Sequence, residues 1–432
     1  MNRPPLIVAP SIAGFGPAPH APLFESQDPS QDQFPDEFPD ASPIGPERLW
    51  STVEEVAGRL AATAIERDRR GGHAAEERAL LRASGLLLLS IPKEHGGPGW
   101  DWTTVLLVVR RLAEVDSALA HLFGFHHLQI AGVLLYGTAA QQQHYLRTTR
   151  EQGLFWGNAL NPLDRRTVAH PEGDGSYRLD GQKSYCSGSV GSDILTISAW
   201  HRASETALIG AVPTRRAGIE VLPDWDAFGQ RQTDSGSVSF SGVKLEADEV
   251  LQAPGIAASP RATLRSQVAQ LVMTNLYLGI AQGAFAEARR YSRDEARAWP
   301  ASGVERSVDE PFIQQRYGEW WLRIRPAAAL ADEAGRRLDE AVKKGDTVTA
   351  AERGIVALAG AEAKVLAHRA SIEVTNALFE ATGARSTAAR YGFDRFWRNA
   401  RVHTLHDPID YKIRDIGRHQ LTGQLPDPTP YS

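Results

Sequence analysis

Cysteine is nearly absent: the chain of 432 residues has one, Cys186. A single thiol excludes an intrachain disulfide framework and a cysteine-based zinc site, and a reducing cytoplasm suits such a chain. A strong charge of either sign is also missing. The net charge of −5 gives no reason to expect a nucleic acid or an anionic membrane as partner. Long apolar runs are lacking; LLLLSI (86–91) is far too short to cross a bilayer. The apolar LIVAP near the N-terminus is broken up by proline and glycine, and no signal-peptide core with a cleavage site follows. No G-x-G-x-x-G follows a strand-like segment, so the chain lacks a nicotinamide-binding fingerprint.

What is present is enough for two or three globular domains, with 42% hydrophobic and 23% charged residues. Residues 1–46 hold 11 of the 26 prolines and an acidic stretch, QDPSQDQFPDEFPDASP. That composition buries too little apolar surface to offset ordering, so a disordered arm is expected there. From 47 to 154 the apolar spacing is helical: Leu49, Val53, Val56 and Leu60 recur with charges between them, and 102–138 reads as one or two buried helices. Between 155 and 256 the period shifts toward two, in short β-branched or aromatic runs such as DILTISAW and GSVSFSGVKL. A small antiparallel sheet or barrel is expected, with LDGQ and its Gly181 as a tight turn. From 257 to 432 three long alanine-rich helices and a shorter fourth suggest a bundle with a tail. The fold class read from these patterns is α+β, mainly α: an N-terminal helical domain, a central sheet or barrel, and a C-terminal bundle of three long helices and a shorter fourth.

HTLHDP (403–408) places two imidazoles, His403 and His406, beside Asp407. A metal triad would need all three on one face. The Asp-Pro step disfavours helix at Asp407, so no metal is assigned. An acid–base site fits better, because imidazole titrates near neutrality.

Several further segments agree in order with a known family. RLAEVDSALA then YGTAAQQQHYL, LDGQKSYCSGSVGSD, ARAWPASG, and EATGARSTAARYGFDRFWRNARVHTLHDP together resemble the acyl-CoA dehydrogenase superfamily over roughly 47–424. The family's last motif ends in a glutamate followed by glycine and threonine; this chain has Asp407 and Pro408 in that place. With FWGNALNP (155–162), YCSG, DWDAFGQRQTDSGS and HTLHDP, the chain is similar to the dibenzothiophene monooxygenase branch, the reduced-flavin-dependent two-component enzymes.

The resemblance implies that the central module is a β-barrel and the C-terminal one a four-helix bundle. It also implies a monooxygenase that uses FMNH2 from a separate NAD(P)H:flavin reductase. O2 forms a C4a-hydroperoxyflavin, and an oxygen atom passes to a small sulfur-, nitrogen- or ring-containing substrate. Ser187 is placed at the flavin N5, with Tyr185 beside the ring and Cys186 a small buried hydrophobe. Asn158 is placed near the flavin or peroxide, and Asn161-Pro162 in the turn that follows. His406 takes the proton-transfer role with His403 as its partner or a substrate contact. His126, of the pair His126–His127, is taken as the pocket-facing histidine, since adjacent helical residues point about 100° apart and only one can face the cleft. Arg297 and Arg385 are taken to hold the FMN phosphate, partly from a neighbouring subunit of a homotetramer. Trp225 walls a substrate cavity whose specificity is set near 125–135, 225–235 and 270–280. The alternative is an acyl-CoA dehydrogenase with FAD and Asp407 as base. Aspartate's shorter side chain would misplace that base by ~1.5 Å, a serious cost to proton abstraction. A non-catalytic scaffold on the same bundle is the third reading.

Overall fold

The computed structural model describes residues 44–429 and 431–432. The arm expected at 1–46 lies, apart from 44–46, outside the described residues. Helix α1 spans Pro46–Arg70 and α2 spans Ala75–Ala83. Proline near the start of α1, Glu47 in its first turn and Arg67, Arg69 and Arg70 in its last match the helix dipole. Leu49, Val53, Val56 and Leu60 form its buried stripe. The apolar segment from 102 onward is two helices, α3 (Trp102–Val115) and α4 (Ser117–Tyr136). Asp116 separates them. Its backbone is extended and its carboxylate accepts from the amides of Ala118 and Leu119, which caps α4. Helix α4 is apolar and long enough to cross a membrane, but 94% of that stretch is buried inside the protein. Helix α5 (Ala139–Gln152) starts at a capping box made by Thr138 and Gln141.

Eight strands follow: β1 (Trp156–Ala159), β2 (Val168–Pro171), β3 (Tyr177–Lys183), β4 (Ile194–His201), β5 (Thr206–Pro213), β6 (Ile219–Leu222), β7 (Ser237–Leu245) and β8 (Val250–Gln252). They form one sheet in the order β6-β7-β3-β2-β4-β5-β8, with β1 paired to β4. The sheet differs from expectation in two ways. It is curled but open, since the end strands β6 and β8 do not pair with each other, and β1 and β2 both run parallel to β4. Gly181 is not a hairpin turn either. It lies inside β3 at a bulge, with φ +130°, and a Cβ there would sit 2.1 Å from Arg166 O. The glycine serves close backbone approach rather than chain reversal.

Three long helices close the chain: α6 (Leu264–Asp294), α7 (Pro311–Lys343) and α8 (Ala350–Thr382), with α9 (Asp394–Thr404) and α10 (Ile409–Thr422) after them. Helix α6 crosses α3 at backbone contact. A Cβ on Gly279 would come within 2.4 Å of Arg110 O, and one on Gly283 within 2.0 Å of Glu114 O. Residues of α1, α3, α4, α6, α7, α8 and α9 therefore share one apolar core, while the sheet has its own. The candidate site lies where α4, α6, α8 and α9 approach the sheet's loops.

Candidate active site

Helix α9 stops at Thr404 because Asp407 precedes a proline, a position that disfavours helical backbone. Pro408 then caps α10. HTLHDP is thus the corner between two helices, with His403 in the last turn of α9 and His406 in the turn beyond, where its amide donates to His403 O at 3.1 Å.

His403 is buried, and its Nε2 lies 2.8 Å from Nδ1 of His121 on α4. Burial drives the His403 pKa down to about 3, with the nearby His406 and Lys364 adding to the effect. His121 is driven well below its ordinary value, again mainly by burial. Both rings are therefore neutral at working pH and share one proton between the facing nitrogens. His121 stacks on Phe125 at 3.9 Å, and its Nε2 is buried without a partner. The Tyr277 hydroxyl donates to His403 O at 3.0 Å and anchors α6 to this corner.

His406 is the more open imidazole, with 39% of its side chain exposed. Its Nδ1 lies 3.1 Å from Asp407 Oδ1. Asp407 is buried, which alone would raise its pKa; the hydrogen bond from His406 and the ammonium of Lys364 more than reverse that and hold it well below the usual carboxylate range. Lys364, fully buried on α8, pairs with Asp407 and donates to Gln270 Oε1 at 2.6 Å. Lys412 Nζ on α10 stands 3.8 Å from the other carboxylate oxygen. Asp407 is thus gripped from two helices and oriented toward His406. A carboxylate held this way is a poor proton abstractor, which counts against the role of Asp407 as a dehydrogenase base.

On the sheet side, the Asn158 amide donates to Ser187 O at 2.9 Å, so β1 and the 185–188 turn lie side by side. Asn158 is largely buried, at 8% exposure. Ser187 Oγ is 2.8 Å from Ser235 Oγ. Tyr185 has φ +59° and is 72% exposed, edge-on to Trp225 with ring centroids 6.0 Å apart. The Trp225 indole donates to Gln230 O at 2.8 Å, so this ring is fixed in place. Cys186 is fully buried, and burial pushes its thiol up to about 12, which makes it inert.

His126 does not reach this site. Its Nε2 donates to Leu87 O at 2.8 Å and its Nδ1 accepts from the Trp156 amide at 3.2 Å. Both nitrogens are spent on backbone, and burial pushes the pKa down to about 3. His127 is likewise occupied by Ser90 and Leu86 O. The histidine that α4 contributes is His121, one turn earlier. Its neighbour Leu122 packs against the turn at Gly188, which brings the start of α4 beside Ser187. The sequence carried one usable signal for this: His121 and Phe125 are four apart and share a helical face.

Arg297 and Arg385 are both exposed and have no ion pair among the described residues. They belong to the far end of the bundle. Arg385 follows the end of α8 and its charge reaches Tyr291, near the end of α6, which Arg297 follows. From Lys364 to Thr382 α8 climbs roughly 27 Å at ~1.5 Å per residue. The chain therefore does not bring these arginines to its own histidine corner.

These features suit a flavin. The site offers the Asn158 carboxamide, the Ser187 hydroxyl and a buried His121 ring nitrogen without a partner, while the two exposed guanidinium groups suited to phosphate stand at the far end of the bundle.

Comparison with known proteins identifies the family. The acyl-CoA dehydrogenase N-terminal domain matches residues 47–151, and the acyl-CoA dehydrogenase C-terminal domain matches residues 271–411. The chain belongs to the acyl-CoA dehydrogenase family. Within that family it is 47% identical over 388 residues to a probable FMNH2-dependent monooxygenase of Pseudomonas putida, covering 90% of this chain and 98% of the relative. It is 43% identical to a dibenzothiophene monooxygenase of Rhodococcus qingshengii, covering 86% and 93%. Among solved structures, methanesulfinate monooxygenase of Pseudomonas fluorescens superposes with TM-score 0.87 at 47% identity, covering 90% of this chain and all of that one. The FMN-bound enzyme of Paenibacillus sp. A11-2 superposes with TM-score 0.85 at 41% identity, covering 89% and 100%. Butyryl-CoA dehydrogenase of Megasphaera elsdenii, at 20% identity and TM-score 0.76, shares the fold alone.

Proposed function

We propose that this chain is a reduced-flavin-dependent monooxygenase that receives FMNH2 from a separate reductase and transfers one oxygen atom of O2 to a small organosulfur substrate. The observation that carries this is the corner of His121, His403, Asp407 and the more open His406, which supplies proton transfer without a free carboxylate base. Bound FMNH2 would supply the two electrons and the reaction centre for O2; one oxygen atom goes to the substrate and the other leaves as water.

The chain's own residues divide the remaining work. With FMNH2 bound, Ser187 would face its N5 edge and Asn158 would donate from β1. His406, steadied at Nδ1 by Asp407, presents Nε2 for proton delivery. The neutral His121–His403 pair keeps the corner free of net charge and gives a polar substrate group one hydrogen-bonding nitrogen. Tyr185 and Trp225 flank the outer side. Arg297 and Arg385 would grip the phosphate of a neighbouring subunit's FMN in a homotetramer, which their distance from the chain's own histidines supports.

The choice of organosulfur substrates rests on the relatives that act on methanesulfinate and dibenzothiophene. The test combines the protein with FMN, a generic flavin reductase, NADH and ¹⁸O2, and screens sulfinates, sulfides, sulfones, thiophenes and amines by mass. A single ¹⁸O in a sulfur product is expected. Complete conversion of FMNH2 and O2 to hydrogen peroxide with every candidate, or reduction of bound FAD by an acyl-CoA, would overturn the proposal.

A further inference from the structure

Ser187 begins a chain of hydroxyls. Its Oγ is 2.8 Å from Ser235 Oγ, Ser235 Oγ donates to Thr233 Oγ1 at 2.8 Å, and Thr233 Oγ1 donates to Gln230 O at 2.9 Å. All four residues are buried, so bulk solvent has little access to the line. The chain ends on a carbonyl, which can only accept. That carbonyl also receives the Trp225 indole at 2.8 Å and the Thr233 amide at 3.2 Å.

Each hydroxyl has one proton. The proton of Thr233 is committed to Gln230 O, so Thr233 accepts from Ser235. The proton of Ser235 is then committed, so Ser235 accepts from Ser187. Reversing the chain would leave two oxygens 2.9 Å apart with no proton between them. Ser187 thus turns its hydrogen away from the cleft and offers the cleft lone pairs only.

We propose that Ser235 and Thr233 are positioning residues that make Ser187 an obligate acceptor, and so make the site select reduced over oxidised flavin. N5 of the reduced ring carries a hydrogen and meets those lone pairs as a donor. N5 of the oxidised ring is a bare acceptor and meets them as a mismatch. The inference rests on the placement of Ser187 at the N5 edge. It gives a two-component enzyme a reason to take FMNH2 and release FMN.

The loop that carries the terminal carbonyl is held independently of any ligand. Gln230 and Asp234 adopt left-handed backbone, with φ +53° and +44°. The Gln230 amide donates to Asn399 Oδ1 at 2.6 Å, and the Asp234 carboxylate is paired with His73 at 2.7 Å and Arg78 at 3.0 Å.

The experiment measures dissociation constants of the full chain for FMN, and for FMNH2 without oxygen, in the parent protein and in T233V, T233S, S235A and S187A. The parent should prefer FMNH2. S235A frees the Ser187 hydroxyl to turn and should narrow the preference by roughly fivefold, what ~1 kcal/mol for one hydrogen bond amounts to. T233V leaves Ser235 only the backbone carbonyl of residue 233, at 3.4 Å, and should narrow it by less. The narrowing should come mainly from tighter FMN binding, an effect that general loosening of the loop would not produce. T233S should keep the parental ratio. A parent with no preference overturns the inference. So does a ratio that S187A changes while T233V and S235A leave it alone; Ser187 at N5 then still stands. If S187A alters neither constant, the placement of Ser187 falls first and the inference with it. Thermal melts confirm that each variant is folded, and S235A serves as the second variant should T233V not fold.

Discussion

Nδ1 of His121 and Nε2 of His403 lie 2.8 Å apart, joining α4 to the end of α9 through two buried, neutral rings. Replacing His121 with Phe keeps the stacking volume and removes the hydrogen bond. It leaves the His403 nitrogen buried and unpaired, a cost of ~1–3 kcal/mol. The expected result is a lower midpoint in urea and a larger share of FMNH2 consumed as hydrogen peroxide. An unchanged midpoint and unchanged coupling would remove this pair from the site.

His403 and His126 are each pushed down to about 3, and His121 and His127 are also lowered, all by burial first. In the unfolded chain these rings protonate near ~6.5. Between those values the unfolded state binds more protons, so stability rises with pH. Their contribution is complete above the unfolded value and is lost as pH falls toward 3. Urea unfolding free energies should decline from pH 7 to pH 5, and His126→Asn should make that decline shallower. A pH-independent free energy over this range would contradict the buried, neutral assignment.

Lys364 and Asp407 form a buried pair. Lys364→Met strands a carboxylate and Asp407→Asn strands an ammonium, and each should cost ~3–5 kcal/mol. K364M combined with D407N should cost less than the sum. A double-mutant cycle by chemical denaturation reads the coupling directly. Additive losses would show that the pair does not act as a unit.

His406 projects from a corner and is partly exposed, so His406→Asn should fold normally. Losing its proton-transfer role should slow coupled oxygenation by ~10²-fold or more. Stopped-flow oxygen consumption with product analysis distinguishes this from impaired flavin binding. Parental product yield in H406N would move the role elsewhere.

Arg297→Ala and Arg385→Ala should each raise the KM for FMNH2 by roughly tenfold or more, the value of a charge-assisted phosphate contact, with little change in kcat. If the arginines serve a partner's flavin, inactive H406N chains mixed and reassembled with R385A chains should regain activity. Absence of complementation would place both functions in one chain.

Much of this was legible in sequence because helical and strand periodicities are local. The order of helices, strands and bundle follows from residues close together, as does the helix break before Pro408. Gly181 was misread because a bulge and a turn demand the same glycine, and only the distant Arg166 carbonyl tells them apart. His121 was missed because its partner lies 282 residues away. Lys364 gave no signal, since a lysine in an alanine-rich helix reads as solvent-facing until Asp407 is placed against it. The Ser187–Ser235–Thr233 chain was hidden for the same reason: hydroxyl polarity depends on which carbonyl ends the line.

Asp407 is held by Lys364 from inside the bundle and approached by Lys412 from α10, while Pro408 sets where α10 departs. The outermost helix is therefore a handle on the imidazole. Under the proposed proton-transfer role, evolution or engineering would retune the angle of His406 from the rind of the molecule, through α10 alone.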